Sequence, residues 1–228
     1  MAIKNTQYTI HNTQYLKNKR ILITAGPTWV PIDGVRVISN IATGETGILL
    51  AEKLQNLGAK VTLLLGPAGV CCLNKKIKLM RFRFFNELKN IIIKELRFKK
   101  YDAVIHSAAV SDYKPVKVYT QKVKSGIKNW QVNLVPTEKI IDLIRKLDDS
   151  LFLVGFKFQP QATKTMLIKE TKKLIRRVNL DLAVANTIDK SRYHAYIVER
   201  EKIYTPLFNK KNMVEKLVNI IKEKIWKN

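Results

Sequence analysis

Cysteines are few in this sequence, and they cannot build a disulfide framework. The 228 residues contain two, Cys71 and Cys72, which are adjacent. Neighbouring cysteines cannot join distant parts of a fold, so we interpret them as packing or loop residues in a reducing compartment. The three histidines (His11, His106 and His194) are scattered along the chain, and no cluster of them predicts a transition-metal site.

Long apolar runs are also absent. No stretch approaches the ~20 apolar residues that cross a bilayer. The polar N-terminus has no apolar core of the kind found in a secretory signal. We therefore expect a cytoplasmic protein with no membrane partner. Residues 1–19, in which NTQY occurs twice, are interpreted as a polar tail or linker remnant, and residues 20–228 as a single domain.

Acidic residues are scarce relative to basic ones. The chain has 18 acidic and 42 basic residues, which gives a net charge of +24. Such a charge would suit a nucleic-acid-binding protein. The basic residues, however, are spread along the whole chain, and no nucleic-acid-binding motif is present. A solvated basic surface is the better interpretation, with part of the charge attracting phosphorylated substrates.

Apolar segments of strand length alternate with segments of helical periodicity. The predicted strands cover residues 21–25, 61–67, 102–109, 150–158 and 180–188. The predicted helices cover residues 44–60, 85–99, 137–147, 162–178 and 211–227. Gly58 is placed to end the first helix, and Thr137 is the predicted N-cap of the third. This alternation predicts an α/β fold, a Rossmann-like, doubly wound and mainly parallel sheet covered on both faces.

Two regions fall outside this alternation. Residues 113–130 lack periodicity and contain five lysines, which predicts a mobile loop or flap. Residues 194–199 and 202–207 are predicted to pair as a hairpin.

Small and polar residues follow the apolar strands where these end. The segments concerned are AGPT (25–28), SAAVSDYKP (107–115), GFKF (155–158) and ANT (185–187). In a doubly wound sheet the ligand lies beyond the carboxyl ends of the strands, so we expect these segments to meet in one cleft. TGETG (43–47), at the start of the first predicted helix, suits phosphate. The long loop before it is no tight GxGxxG turn, which disfavours an NAD site.

Several polar residues near these strand ends allow more than one interpretation. Asp112 either holds a ribose hydroxyl or a metal ion, or is a surface turn residue. Lys122 and Lys124 either neutralise a triphosphate or are solvated charges on a loop. His106 is interpreted as a hydrogen-bonded core residue rather than a catalyst. Together these features suggest a nucleotide triphosphate and an anionic partner, with chemistry that depends on positioning and charge neutralisation.

The ordered segments resemble a known enzyme family. ITAGPT, DGVRVISNIATGETG, HSAAVSDYKP, a lysine-containing loop, PTEKII, LVGFKF and DLAVANTI are similar to phosphopantothenoylcysteine synthetase over residues 20 to about 225. The resemblance is to the stand-alone form, without the flavin-dependent decarboxylase domain. It implies a Rossmann-like homodimer of coenzyme A biosynthesis, in which CTP activates 4′-phosphopantothenate to an acyl-cytidylate and the amine of cysteine displaces CMP. It also implies that Mg²⁺ assists and that no flavin takes part; human-type relatives use ATP.

The resemblance further implies roles for individual residues. Asn40, in ISN, matches an asparagine that binds the acyl intermediate and promotes its conversion, and Lys122 matches the essential flap lysine. The implied nucleotide-binding residues are Ser107, Ala108, Ala109, Asp112, Lys124, Phe156, Lys173 and Arg177. The implied phosphate-binding residues are Gly26, Gly44 and Gly47. LVPT (134–137) departs from the Lys-Asn-Pro-Asp segment of the two-part enzyme.

Two hypotheses from other classes stay open at this point. The first is a basic nucleic-acid-binding protein on a Rossmann scaffold, although the sequence disfavours a specific nucleic-acid partner. The second is an NAD(P)-dependent reductase, disfavoured because the tight glycine turn and a Tyr-x-x-x-Lys pair in a suitable helix are missing. Fold alone does not decide between them.

Overall fold

A computed structural model describes residues 15–68 and 73–226. Cys71, Cys72 and most of the predicted N-terminal tail lie outside the described residues. The elements in chain order are β1 (Arg20–Ala25), β2 (Trp29–Pro31), β3 (Val37–Ser39), α1 (Glu45–Asn56), β4 (Lys60–Leu65), β5 (Lys78–Arg81), α2 (Phe85–Phe98), β6 (Ala103–His106), β7 (Tyr113–Pro115), β8 (Leu134–Pro136), α3 (Ile140–Leu147), β9 (Phe152–Phe158), α4 (Lys164–Val178), β10 (Leu182–Asp189), β11 (Arg192–Val198) and α5 (Lys210–Trp226).

The main sheet has the strand order β11-β10-β9-β6-β1-β4-β5 within the described ranges. Neighbouring strands are parallel except β10 and β11, which are antiparallel. The chain builds outward from β1 through β4 and β5 on one side, and from β6 through β9 and β10 on the other. The order therefore reverses between β1 and β6. The predicted Rossmann-like, doubly wound and mainly parallel sheet is confirmed.

Helices cover both faces of this sheet because alternate strand residues point to opposite faces. Ile21 and Ile23 of β1 belong to the apolar cluster that α1 and α5 complete. Leu22, between them, belongs to the second cluster, which contains residues of α2, α3 and α4. All three β1 side chains are fully buried, so the strand is apolar on both faces, as its continuous apolar sequence predicts.

The two predicted helix boundaries have different outcomes. Gly58 follows the end of α1 with φ 93, the left-handed conformation that suits glycine after a helix. The prediction for Thr137 is wrong, because α3 begins at Ile140 after Lys139, and no side chain caps it. Thr137 instead extends the β7–β8 pairing. Its N–H donates to Asp112 O at 2.9 Å, and its hydroxyl donates to Ser111 O at 2.6 Å.

The predicted hairpin is only partly correct. The main partner of β11 is β10, which pairs with it along its whole length. The segment 202–207 touches β11 through isolated bridges at Ile203 and Leu207. The β10–β11 turn uses Lys190 and Ser191, both with positive φ. Glycine or asparagine usually marks such a two-residue turn, and the sequence offers neither there.

The packed region begins earlier than the predicted boundary at residue 20. Leu16 is fully buried in the apolar cluster beside α1, and its N–H donates to Leu57 O at 2.8 Å. Among the described helices, none is long and apolar enough to cross a membrane.

Candidate active site

A cavity of about 1010 Å³ lies at the carboxyl ends of the central strands. All four of the predicted strand-end segments contribute to its wall, so the expected convergence is confirmed. The lining residues come from Gly26, residues 39–47, 106–112, 137–141 and 156–158, the α4 residues Glu170, Lys173, Leu174 and Arg177, and Asn186, Ile188, Tyr193 and Lys210. The cavity sits beside the reversal of strand order between β1 and β6, where doubly wound sheets bind ligands.

The start of α1 forms one wall of the cavity. Gly44 has φ 74, and no side chain caps the helix apart from a 3.4 Å bond from Glu45 N–H to Thr43 Oγ1. A Cβ added at Gly47 would lie 2.4 Å from Ala25 Cβ, so glycine lets α1 approach β1 closely. Gly26, Gly44 and Gly47, the predicted phosphate-binding residues, all line the cavity. The first-turn N–H groups of α1 have no intrahelical acceptor and suit an anion.

The hydrogen-bond donors of the segment Ser107–Ala109 are all bonded to acceptors within the protein. The N–H of Ser107 donates to Thr24 O at 3.1 Å, that of Ala108 to Thr24 Oγ1 at 3.3 Å, and that of Ala109 to Gly26 O at 2.9 Å. The Ser107 hydroxyl also donates to Thr24 O, at 2.7 Å. These three predicted nucleotide-binding residues do line the cavity. The bonds dock them against β1, which leaves backbone acceptors but no free N–H donor for a ligand.

Asn40 joins the loop before α1 to the segment after β6. Its Nδ2 donates to Ala109 O at 3.0 Å and to Val110 O at 3.2 Å. The residue is exposed and lines the cavity. The amide therefore stands at the wall where a ligand would lie, with its donors held by two backbone carbonyls.

Four other predicted nucleotide-binding residues also line the cavity: Asp112, Phe156, Lys173 and Arg177. Asp112 accepts a hydrogen bond from Lys139 Nζ at 2.6 Å. On α4, Lys173 pairs with Glu170 at 2.7 Å, and Arg177 pairs with Asp142 of α3. These exposed pairs contribute little to stability, so their cations can turn toward an anionic ligand at small cost.

The two predicted flap lysines lie elsewhere. Lys122 and Lys124 are exposed and are absent from the cavity lining. They belong to the loop 116–133, which connects the paired strands β7 and β8 and corresponds to the predicted flap. The structure thus gathers the strand-end residues into one cavity and leaves the two lysines outside it.

Hydrogen bonds to the side chain of Asp33 hold this loop against the turn between β2 and β3; we call this set of bonds the clasp. The buried carboxylate of Asp33 accepts hydrogen bonds from the N–H groups of Val35, Arg36 and Val123 at 2.8–3.1 Å, and from the Arg36 guanidinium. Burial alone would raise the pKa of Asp33, but these donors outweigh it and lower the pKa to about 2. The Arg36 guanidinium also lies 5.1 Å from the ring centre of Trp130. The clasp thus fixes the backbone of Val123, the residue between the two lysines.

His106 is buried at the carboxyl end of β6, beside Thr24 of β1, and lines the cavity. Its Nδ1 lies 2.8 Å from Thr24 Oγ1. Burial lowers the pKa of the ring to about 4, so the imidazole is neutral at neutral pH. The interpretation of His106 as a hydrogen-bonded buried residue is confirmed, and its place in the cavity wall was not anticipated.

Sequence reasoning also missed Lys139, Lys210 and Tyr193. Lys210, at the start of α5, pairs with Glu45 of α1 at the cavity wall. Burial and the nearby Glu45 carboxylate raise the pKa of the Tyr193 phenol, which therefore stays protonated. Nothing local in the sequence singles out Lys210 or Tyr193, because their positions depend on the packing of α5 and β11. Lys139 is the one of the three that the sequence could have indicated, since it follows directly on PTE before an apolar helix.

No group of three or more His, Cys, Asp or Glu side chains suited to a metal ion occurs among the described residues. Single carboxylates do reach the cavity, including Asp112 and Glu138. Mg²⁺ in phosphate-transfer sites is held by one or two carboxylates together with substrate phosphates. These residues therefore fit Mg²⁺ that arrives with a triphosphate.

The sheet, its reversal of strand order and the anion-suited start of α1 define a protein of the Rossmann-like, doubly wound α/β class. Residues 16–226 match the family described as DNA/pantothenate metabolism flavoprotein C-terminal domain. The chain belongs to this family.

Curated relatives and solved structures agree with this assignment. The bifunctional coenzyme A biosynthesis protein CoaBC of Thermococcus kodakarensis is 38% identical over 174 residues, which are 76% of this chain and 42% of the relative. The chain thus spans about half or less of the length of such relatives. A crystal structure of the DNA/pantothenate metabolism flavoprotein from Streptococcus pneumoniae has a TM-score of 0.81 at 25% identity, covering 90% of this chain and 99% of that one. The C-terminal domain of a CoaBC protein has a TM-score of 0.75 at 27% identity, with coverage of 94% and 100%.

Proposed function

We propose that this chain is a phosphopantothenate–cysteine ligase of coenzyme A biosynthesis, with CTP as the activating nucleotide. One observation carries the proposal: a single cavity at the β1–β6 reversal gathers Asn40, the α1 start and the segment 107–112. Family membership and the coenzyme A biosynthesis relatives support the same activity.

The first half-reaction joins the substrate to the nucleotide. The carboxylate of 4′-phosphopantothenate attacks the α-phosphorus of CTP, an acyl–phosphate bond forms, and pyrophosphate leaves. The first-turn N–H groups of α1, next to Gly44 and Gly47, would hold an anionic group of the substrates. Lys173 and Arg177 would turn from their exposed carboxylate partners to neutralise charge. Mg²⁺, held by the triphosphate and Asp112, would supply charge neutralisation at the phosphates.

The second half-reaction makes the amide. The amine of cysteine attacks the acyl carbon, the acyl–phosphate bond breaks, CMP leaves, and the amine loses a proton. Asn40 would shift one N–H from its longer bond, to Val110 O, onto the acyl carbonyl oxygen. A neutral amide donor there stabilises the negative charge that develops on that oxygen.

Lys122 and Lys124 enter this scheme through movement of the loop 116–133. Both are outside the cavity wall, so we propose that the loop gives up the Asp33–Val123 bond of the clasp, closes over bound substrates and brings Lys122 to the α-phosphate. Closure would also exclude water from the reactive mixed anhydride. The chain is further proposed to act as a homodimer without a flavin.

A product assay tests the proposal. Purified protein is incubated with Mg²⁺, CTP, cysteine and 4′-phosphopantothenate, and pyrophosphate release and phosphopantothenoylcysteine are measured. Both should appear only when all substrates are present, and ATP in place of CTP should give slower turnover. If neither CTP nor ATP gives pyrophosphate, the result contradicts the proposal. A salt titration with random duplex DNA tests the nucleic-acid alternative in parallel.

A further inference from the structure

The hydrogen bonds around Thr24 fix which nitrogen of His106 carries the proton. Thr24 is fully buried, and its Oγ1 already accepts the N–H of Ala108 at 3.3 Å. The hydroxyl proton then has one acceptor within reach, His106 Nδ1 at 2.8 Å. An acceptor Nδ1 on a neutral ring places the ring proton on Nε2. Because burial keeps this imidazole neutral at neutral pH, the tautomer persists under working conditions.

The Nε2–H group has no protein partner among the described residues, and it belongs to a residue of the cavity wall. Nε2 is not one of the buried, unpartnered side-chain atoms of the described residues, so its N–H is accessible and can donate to an acceptor on a ligand in the cavity. The neighbouring segment cannot supply that donor. The N–H groups of Ser107, Ala108 and Ala109 are all bonded to β1 or to Gly26.

We propose that His106 Nε2–H is the hydrogen-bond donor that recognises the base of the nucleotide, through an acceptor nitrogen or carbonyl oxygen of the ring. This inference rests on the proposed use of a nucleotide. Each nucleobase candidate carries both an amino donor and ring acceptors. The Ala109 carbonyl already accepts from Asn40 Nδ2 and from the Thr28 N–H, so the carbonyls of Ser107 and Ala108 are the ones that can accept from the amino group, and His106 supplies the complementary donor. Thr24 is then a positioning residue, because it acts only by holding the tautomer.

Nuclear magnetic resonance of ¹⁵N-labelled histidine tests the tautomer without any substrate. The chain has three histidines, His11, His106 and His194. The spectrum of His106→Leu assigns the signals of His106 by difference. We expect the Nε2–H pattern for His106 at pH 7, unchanged down to about pH 5, and a shift of its Nε2 signal when CTP and Mg²⁺ are added. An Nδ1–H pattern, or no shift under conditions where CTP binds, would overturn the proposal.

Binding measurements separate base recognition from a structural role. Calorimetric titration with CTP and Mg²⁺ compares the wild type with His106→Leu, which removes the donor, and His106→Gln, which keeps an N–H donor. His194→Gln is the matched control, since His194 packs on the Phe208 ring and is outside the cavity lining. Loss of one neutral hydrogen bond predicts about 3- to 10-fold weaker CTP binding for His106→Leu, with recovery in His106→Gln. Affinity for 4′-phosphopantothenate should stay unchanged in both.

The outcomes distinguish this inference from the proposed function. Equal CTP affinity in His106→Leu and the wild type would refute base recognition and leave nucleotide use intact. A parallel loss of 4′-phosphopantothenate affinity would show a structural defect and also count against it. If the wild type binds neither CTP nor ATP, the proposed function fails, and base recognition by His106 fails with it.

Discussion

Replacing Glu95 by glutamine should destabilise the fold without touching the cavity. Glu95, near the end of α2, has a side chain only 3% exposed. Its carboxylate accepts hydrogen bonds from Lys78, Lys99 and Tyr101. Lys78 begins β5, and Tyr101 precedes β6, so this cluster lies at the amino ends of the strands, opposite the cavity.

The expected loss can be worked from these contacts. Removing one partner of a fully buried ion pair costs about 3–5 kcal/mol. Here Lys78 and Lys99 are 52% and 34% exposed and can rehydrate, so the loss should be smaller. Glutamine also keeps an acceptor for the Tyr101 hydroxyl. Hydrogen bonds to charged groups are each worth about 1.5–3 kcal/mol, which suggests a net loss of about 2 kcal/mol. For a domain of this size that lowers the melting temperature by about 4–8 °C.

The pH dependence of this loss has a definite sign. Burial alone would raise the pKa of Glu95, but hydrogen bonds from Lys99, Tyr101 and Lys78 outweigh it and hold the pKa below its ordinary value. The stabilisation is therefore complete above the unfolded pKa and is lost as pH falls through the lower folded pKa. The difference in melting temperature between wild type and Glu95→Gln should be full at pH 7 and shrink below about pH 4.3.

Thermal denaturation across pH measures this effect, and Glu215→Gln is the matched control. Glu215 pairs with Lys53 at 3.3 Å with both side chains more than half exposed, so its loss should cost less than about 1 kcal/mol. Ligase turnover at 25 °C should stay at the wild-type level in both variants. Equal melting temperatures for Glu95→Gln and Glu215→Gln at pH 7, or a difference that grows toward acid, would refute the reasoning.

Three further predictions concern the cavity and the loop. Lys122→Gln should slow acyl-cytidylate formation by about 10²–10³-fold, as expected for the loss of one charge-stabilising group. Lys128→Gln, in the same loop, should leave the rate unchanged. Rapid-quench assays measure both rates, and near-normal turnover in Lys122→Gln would exclude the role. Asn40→Asp should accumulate acyl-cytidylate and make little phosphopantothenoylcysteine, because a carboxylate opposes the developing oxyanion. Mass spectrometry of quenched reactions measures the intermediate and the product. A stably folded variant with normal product and no intermediate would contradict the prediction. Gly47→Ala should lower the free energy of unfolding by about 1–3 kcal/mol and weaken CTP binding, since the added Cβ would lie 2.4 Å from Ala25 Cβ and force α1 away from β1. Calorimetry measures both quantities. Unchanged stability and affinity would mean that the helix accommodates the methyl group freely.

The strand and helix pattern was readable because the central strands are apolar on both faces and the helices are long. The convergence of AGPT and SAAVSDYKP followed from one rule about parallel sheets. The short pairings, β2 with β3 and β7 with β8, were not readable, since three residues are too few to show a period. Thr137 misled because a residue that resembles an N-cap was already used in the β7–β8 pairing. Occupied donors, as at Ala108, and the tautomer of His106 depend on contacts between distant segments, which no local pattern encodes.

The bonds that build the cavity wall connect segments far apart in the chain. Asn40 bonds to a carbonyl 69 residues away and Thr24 to His106 across 82 residues, while the clasp outside the cavity joins Asp33 to Val123 across 90. Contacts of such long sequence separation form late in folding, because chain closure has to be completed before they contribute. During synthesis the cavity wall therefore cannot form from β1 and α1 alone; it forms only after the central third of the polypeptide has been made. An incomplete chain that ends before residue 106 has the start of α1 with Gly44 and Gly47 but lacks the cavity wall that faces it.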